Sequence, residues 1–192
     1  MKILKILRGG AIGNTPAFEA GIPGSRPGPA AKFMPNIKLR KVKISDKKYF
    51  AKWWRDKELL KLTSGIVKKI TDKEVKKYFA ELLTEKTGLN YIILAGQEII
   101  GHISLQKRKN GWYETQIVIG EKNYQGKGYG TEAIKLLIDK ARRKNIKKIY
   151  LEVRPDNIKA IRAYEKCGFK KTGVRKYPKN KYLPQTLKMV LL

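Results

Sequence analysis

The stretch Tyr124-Gln125-Gly126-Lys127-Gly128-Tyr129-Gly130-Thr131-Glu132-Ala133 places three glycines at alternate positions, directly before a run with helical periodicity. Glycine admits positive φ and lets a ligand come close to the main chain. Successive N–H groups in such a loop converge on an anion, and the helix behind them adds a partial positive charge. That chemistry suits a diphosphate, so the loop reads as the binding site of a phosphate-bearing cofactor.

The commoner phosphate loops fit badly. A Walker loop needs glycine where Glu121 stands, and a hydroxyl where Gly128 follows Lys127. The dinucleotide fingerprint G-x-G-x-x-G is one residue longer than the G-x-G-x-G present here. Alone, the loop is also compatible with a plain glycine-rich turn. A second motif follows: Asn157-Ile158-Lys159-Ala160-Ile161-Arg162-Ala163-Tyr164-Glu165-Lys166-Cys167-Gly168-Phe169. Q-G-K-G-Y-G followed by N-x-x-A-x-x-x-Y-x-K-x-G-F resembles the GCN5-related N-acetyltransferase superfamily. The resemblance runs from about Ile37 to the C-terminus, and its two motifs cover the cofactor half. The branch it looks most similar to holds ribosomal-protein alanine acetyltransferases and spermidine acetyltransferases.

The resemblance implies direct transfer of acetyl from acetyl-CoA, a cosubstrate, to a primary amine, with no metal and no cysteine intermediate. Carried onto this sequence, the amides of Gln125, Gly126, Lys127, Gly128, Tyr129 and Gly130, with Thr131, hold the pyrophosphate. Ile117, Val118 and Ile119 present main chain to the pantetheine arm as an added strand would, and they also read as core strand. Lys127 reads either as a phosphate partner or as an exposed lysine at the head of the helix. The resemblance also implies that Asn157, Ala160 and Tyr164 contact the cofactor, and Asp156 or Asn157 reads as the cap of their helix.

Tyr164 is the first candidate for catalysis. When an amine attacks a thioester, coenzyme A leaves as a thiolate, and a phenol can donate a proton to it. A packed helix tyrosine is the plainer reading. The amine must also lose a proton, because free amines are mostly protonated near neutral pH. Glu114 and Glu152 are the candidate bases; each reads equally as a solvated strand glutamate. Glu114 roughly matches a glutamate of the related branch, with one extra residue between it and Gln125. A one-residue shift turns a strand side chain to the other face unless a bulge absorbs it. His102 reads as a surface or half-buried histidine, and Cys167 as packing.

The elements that must position these residues follow from periodicity. Strands are expected at Ile37–Lys43, Tyr91–Ala95, Glu98–Leu105, Trp112–Gly120, Lys148–Val153, Phe169–Arg175 and Thr186–Leu191. Ser45-Asp46 is expected to cap a helix through Phe50, Trp53 and Trp54, and a short helix spans Lys57–Leu62. Thr71-Asp72 caps a helix with Val75, Phe79, Leu82 and Leu83 on one face, and Gly88 follows as its terminator. Asn110-Gly111 marks a hairpin turn. Ala133, Ile134, Leu137, Ile138 and Ala141 face the core from the helix after the loop, and Asn145 closes it in a left-handed conformation. The result is an α/β domain with a mixed central sheet of six to seven strands flanked by helices. The resemblance adds that the sheet is splayed at the cofactor cleft.

Residues 1–36, punctuated by Gly and Pro, read as a disordered leader or extension, with Met34 an alternative start; residues 37–192 form the acetyltransferase domain. No run of 18 apolar residues exists, so no membrane span is expected. A single cysteine excludes an internal disulfide framework and suits a reducing, cytoplasmic setting. One histidine and one cysteine argue against a metal site built on those ligands.

The 44 Lys and Arg against 16 acids give a net charge of +28. A field of that sign draws polyanions such as RNA or ribosomes and repels spermidine. Lysine spread over a solvated surface by compositional bias explains the same number. A protein N-terminus or lysine, on a ribosomal protein or another protein, is the expected acceptor. A polyamine or small-amine acetyltransferase is one alternative. A non-catalytic RNA- or ribosome-binding protein on the same scaffold is another. Relatives often carry Gly-x-Tyr-x-Asp before the last strand; Asn180-Lys181-Tyr182-Leu183-Pro184-Gln185 lacks the glycine and the aspartate. Tyr182 therefore reads as pocket lining or as surface. A homodimer is left open.

Overall fold

A computed structural model of the chain describes residues 36–63 and 70–191. The expected leader, residues 1–36, lies outside them apart from Asn36. Seven strands form one sheet: β1 (Ile37–Lys41), β2 (Leu89–Ala95), β3 (Glu98–Lys107), β4 (Trp112–Ile119), β5 (Lys148–Val153), β6 (Phe169–Lys176) and β7 (Gln185–Leu191). Their order is β1-β2-β3-β4-β5-β7-β6, antiparallel except for the parallel β4–β5 pair. Helices α1 (Lys47–Trp53), α2 (Lys57–Leu62) and α3 (Asp72–Thr84) precede β2. Helix α4 (Tyr129–Arg142) joins β4 to β5, and α5 (Ile158–Lys166) joins β5 to β6.

The period of two along β4 builds both layers. Ile117 and Ile119 join Ala133, Ile134, Leu137 and Tyr164 in the core under α4 and α5. Val118 points the other way, into the core of Phe50, Trp53, Trp54 and Phe79 under α1 and α3. Helix α4 buries the five residues expected of it, and truncating one, Leu137→Ala, costs about 2–5 kcal/mol. Asn145 turns the chain at φ 55° after α4, and Asn110 and Gly111 hold φ 57° and 73° in the β3–β4 hairpin.

Four local expectations are corrected. Strand β1 ends at Lys41, not Lys43. Asp46 stands at the start of α1 but its side chain does not cap it. The carboxylate instead takes Arg40 at 2.7 and 2.8 Å and the Lys43 N–H at 2.7 Å, a better bargain for a charge that is almost fully buried. Leu83 is exposed because α3 buries only the face of Val75 and Phe79. His102 is buried, stacked edge-on against Phe50 at 4.9 Å, because α1 covers the middle of β3.

Candidate active site

Strands β4 and β5 pair over three positions only, Trp112↔Lys148, Tyr113↔Ile149 and Glu114↔Tyr150. Beyond them β4 stays paired to β3 through Ile119, and β5 stays paired to β7 through Val153. The two strands thus part at Glu114, and the inner main-chain edges of Thr115–Ile119 and Leu151–Val153 face each other across a wedge. A wedge with donors and acceptors along one wall is what an extended amide-bearing arm needs.

The glycine loop sits at the open end of that wedge. Gly126 and Gly128 take φ 72° and 88°, and Gly128 is the residue from which α4 starts. No side chain caps this helix start, and the N-terminus of a helix favours an anion. Gln125 is buried, and its side-chain Nε2 donates to the Ile119 carbonyl at 2.7 Å, stapling the loop to the end of β4. Lys127 is exposed and Gly130 is buried in the first turn. The loop is anchored from the other layer as well. Glu121 accepts from Trp53 Nε1 at 3.0 Å and from Lys52 at 2.6 Å, while a Cβ on Gly120 would lie 2.1 Å from the Trp53 indole.

Helix α5 brings Asn157, Ala160 and Tyr164 to the sheet. Asn157 caps it by accepting the Ala160 N–H at 3.2 Å. Tyr164 is 1% exposed and meets Phe169 edge-on at 5.9 Å. Burial pushes its phenol above the usual tyrosine range, which keeps it protonated and able to donate. Cys167 donates to the Thr131 carbonyl at 3.5 Å, and burial pushes its thiol up to about 11, so it is held as a packed thiol.

Neither candidate carboxylate is a solvated glutamate. Glu114 is 1% exposed, with Arg108 Nε and Nη2 on its Oε2 at 2.8 and 2.6 Å. Glu152 is buried too; Arg175 donates to its Oε1 at 2.6 Å, and Thr186, at 2.8 Å, and Tyr177 donate to its Oε2. Both project on the face opposite α4 and α5, with Tyr150 between them. Strand β4 has no bulge: its register with β3 is unbroken from Tyr113 to Ile119. A 3₁₀ turn at Lys122–Tyr124 joins it to the glycine loop.

The fold and this geometry can be set beside known proteins. A family model for an acetyltransferase (GNAT) domain matches residues 36–170. The chain belongs to the GNAT acetyltransferase family. It is 30% identical over 151 residues to a spermidine N(1)-acetyltransferase of Escherichia coli, covering 72% of this chain and 75% of that protein. It is 26% identical over 155 residues to an uncharacterized N-acetyltransferase, p20, of Bacillus licheniformis, covering 76% and 85%. Its fold matches a spermidine N-acetyltransferase of Vibrio cholerae, solved with CoA and spermine, with a TM-score of 0.71 at 23% identity, covering 81% and 95%. The chain is thus an acyl-CoA-dependent N-acetyltransferase with acetyl-CoA as cosubstrate.

The GNAT wedge accommodates that cosubstrate on two independent grounds. The left-handed glycines and uncapped start of α4 suit the diphosphate. Thr115, the first β4 residue past the last β5 pair, buries a hydroxyl with no hydrogen-bond partner. A buried unpaired hydroxyl is costly and calls for one. Sequence reasoning missed Thr115, Arg108, Arg175, Tyr177 and Thr186. Arg108 was readable: the Asn110-Gly111 turn sets Gln106 opposite Glu114, and Arg108 then lies on the diagonal. Arg175 and Tyr177 reach Glu152 from more than twenty residues away and left no local signal.

Proposed function

We propose that this GNAT enzyme moves acetyl from acetyl-CoA to a primary amine of a protein, at an N-terminus or a lysine, by direct attack. The observation that carries the chemistry is the parting of β4 and β5 at Glu114, between the glycine loop and the buried phenol of Tyr164. The loop amides from Gln125 to Gly130, with Thr131, hold the diphosphate. Ile117, Val118 and Ile119 bind the pantetheine arm through main chain, and Asn157 and Ala160 border it. Glu114 takes the proton of the incoming ammonium, directly or through water. Arg108 occupies its Oε2, so Oε1 is the oxygen for this task. The amine forms a bond to the acyl carbon, the carbon–sulfur bond breaks, and Tyr164 hydrogen-bonds or protonates the leaving sulfur. Glu152, with both oxygens engaged, fixes the β5–β6–β7 wall instead.

A protein amine is preferred to a polyamine because the chain carries +28. That charge supports recruitment to an anionic particle such as the ribosome, in the cytoplasm. The identity to a spermidine acetyltransferase favours the polyamine as second reading. Thiol release from acetyl-CoA, followed for spermidine and for peptides with one free amine, separates them. Faster turnover of peptides at equal concentration supports the protein reading; turnover of spermidine alone reverses it. Ribosome co-sedimentation lost at high salt supports the recruitment; no association at low salt removes it.

A further inference from the structure

We propose that the acceptor is a peptide whose amine is flanked by acidic residues, and that it lies in a basic cleft at the open end of the β4–β5 wedge. The proposal rests on the acetyltransferase reading above and names the substrate class of the same site.

The cleft has a volume of about 600 Å³, within the range of small-molecule and peptide-end sites. It straddles the sheet. Arg154, Asp156 and Lys159 come from the chain leaving the C-terminal end of β5. Lys61 and Leu62 end α2, from the opposite layer, and Tyr182 comes from the link between β6 and β7. The last two sources lie away from α4, whose start holds the diphosphate. They therefore belong to the acceptor's side.

Its charge decides the class of guest. Three cations, Lys61, Arg154 and Lys159, face one acid, Asp156. That acid is clasped by Arg154 through both oxygens, at 3.0 and 2.9 Å. A spermine-like or aminoglycoside-like polycation would need carboxylates here and would meet like charge instead. Lys61 meets Glu58 at 3.1 Å with both side chains more than half exposed, a weak surface pair that an incoming carboxylate can replace. The link from Tyr177 to Pro184 adds Lys179 and Lys181 and no acid.

The apolar part of the cleft decides between polyanions. Ile158 and Tyr182 are 51% and 62% exposed, two of the five large hydrophobic residues standing in solvent among the described residues. Both line the cleft, beside Leu62. Side chains of a peptide fill such positions between carboxylates. A nucleic acid also carries negative charge and stacks on tyrosine, but it has no aliphatic amine to accept the acetyl group. The reaction therefore selects the peptide.

The test is steady-state acetylation of a peptide set with one free amine and acidic, neutral or basic flanks, with spermidine and a short RNA oligomer alongside. Acidic flanks should raise kcat/KM about tenfold or more over basic flanks, mainly through KM, and the advantage should shrink with salt. Lys61→Glu, at an exposed position, should remove most of that advantage and leave the melting transition cooperative and the Kd for CoA unchanged. Peptides acetylated without regard to flank charge, spermidine outrunning every peptide, or RNA competing more tightly than any acidic peptide would each overturn the proposal while the acetyltransferase reading stands. If no amine of any kind is acetylated, it is that reading that fails.

Discussion

Glu114 and Tyr150 are register partners across the parallel β4–β5 pair, and they are the last partners before the strands separate. The wedge therefore opens beside a buried carboxylate, and the tyrosine opposite has its phenol pushed up, first by burial and next by the Glu114 charge. Glu152, two residues beyond Tyr150 on the same strand, shares the face but is tied into the sheet. In the proposed mechanism this contrast divides the two carboxylates by role. Glu114→Gln should lower kcat about a hundredfold and flatten the rise of rate with pH. Glu152→Gln should cost about 3 kcal/mol of stability by leaving Arg175 without its partner, and should keep the rising limb. Rate–pH profiles and thermal melts of both variants check the division; a flattened limb in Glu152→Gln with a normal one in Glu114→Gln reverses it.

Tyr164→Phe removes one oxygen from a residue that packs in the core and faces Phe169. CoA affinity should stay within about twofold while kcat falls about a hundredfold. Calorimetry and single-turnover rates read the two effects separately. Unchanged turnover would reduce Tyr164 to packing.

Thr115→Val exchanges an unpaired buried hydroxyl for a methyl group of the same shape. The free protein should gain about 1 kcal/mol, and acetyl-CoA should bind more weakly because its arm loses a hydrogen bond. A melt without ligand and a titration with it give both numbers. A variant that is less stable and binds equally well would show that the hydroxyl serves the fold.

His102 gives the protein a pH dependence. Its folded pKa is lowered to about 3 by burial, while the unfolded value stays near 6.5. Between these values the unfolded chain binds a proton that the folded chain refuses, so stability falls as pH drops below about 6.5, by up to about 1.4 kcal/mol per unit. His102→Leu should lose less stability than the parent between pH 6.5 and 4, measured by denaturant titration. Equal losses would mean that His102 keeps its ordinary pKa in the fold.

How much of this was legible in the residues depended on the range of the forces involved. Strand β5 and the buried face of α4 follow from local periodicity, and the left-handed turns at Asn110, Gly111 and Asn145 from local sterics. Motif spacing pointed to the loop. What the chain did not reveal locally was pairing across the sheet. Asp46 reads as a cap until Arg40 on β1 takes its carboxylate. Glu114 and Glu152 read as solvated until arginines and a tyrosine close over them. His102 reads as surface because nothing near it in sequence says that Phe50 covers it.

The central claim is that the left-handed glycines between β4 and α4 bind the diphosphate of coenzyme A. Isothermal titration of CoA into the folded protein tests it most directly, with Gly128→Ala as the matched variant. The account predicts about one-to-one binding with a Kd on the order of micromolar, weakened at least about tenfold by a Cβ placed at φ 88°. No heat of CoA uptake by protein that melts cooperatively, or equal affinity in the variant, would contradict it.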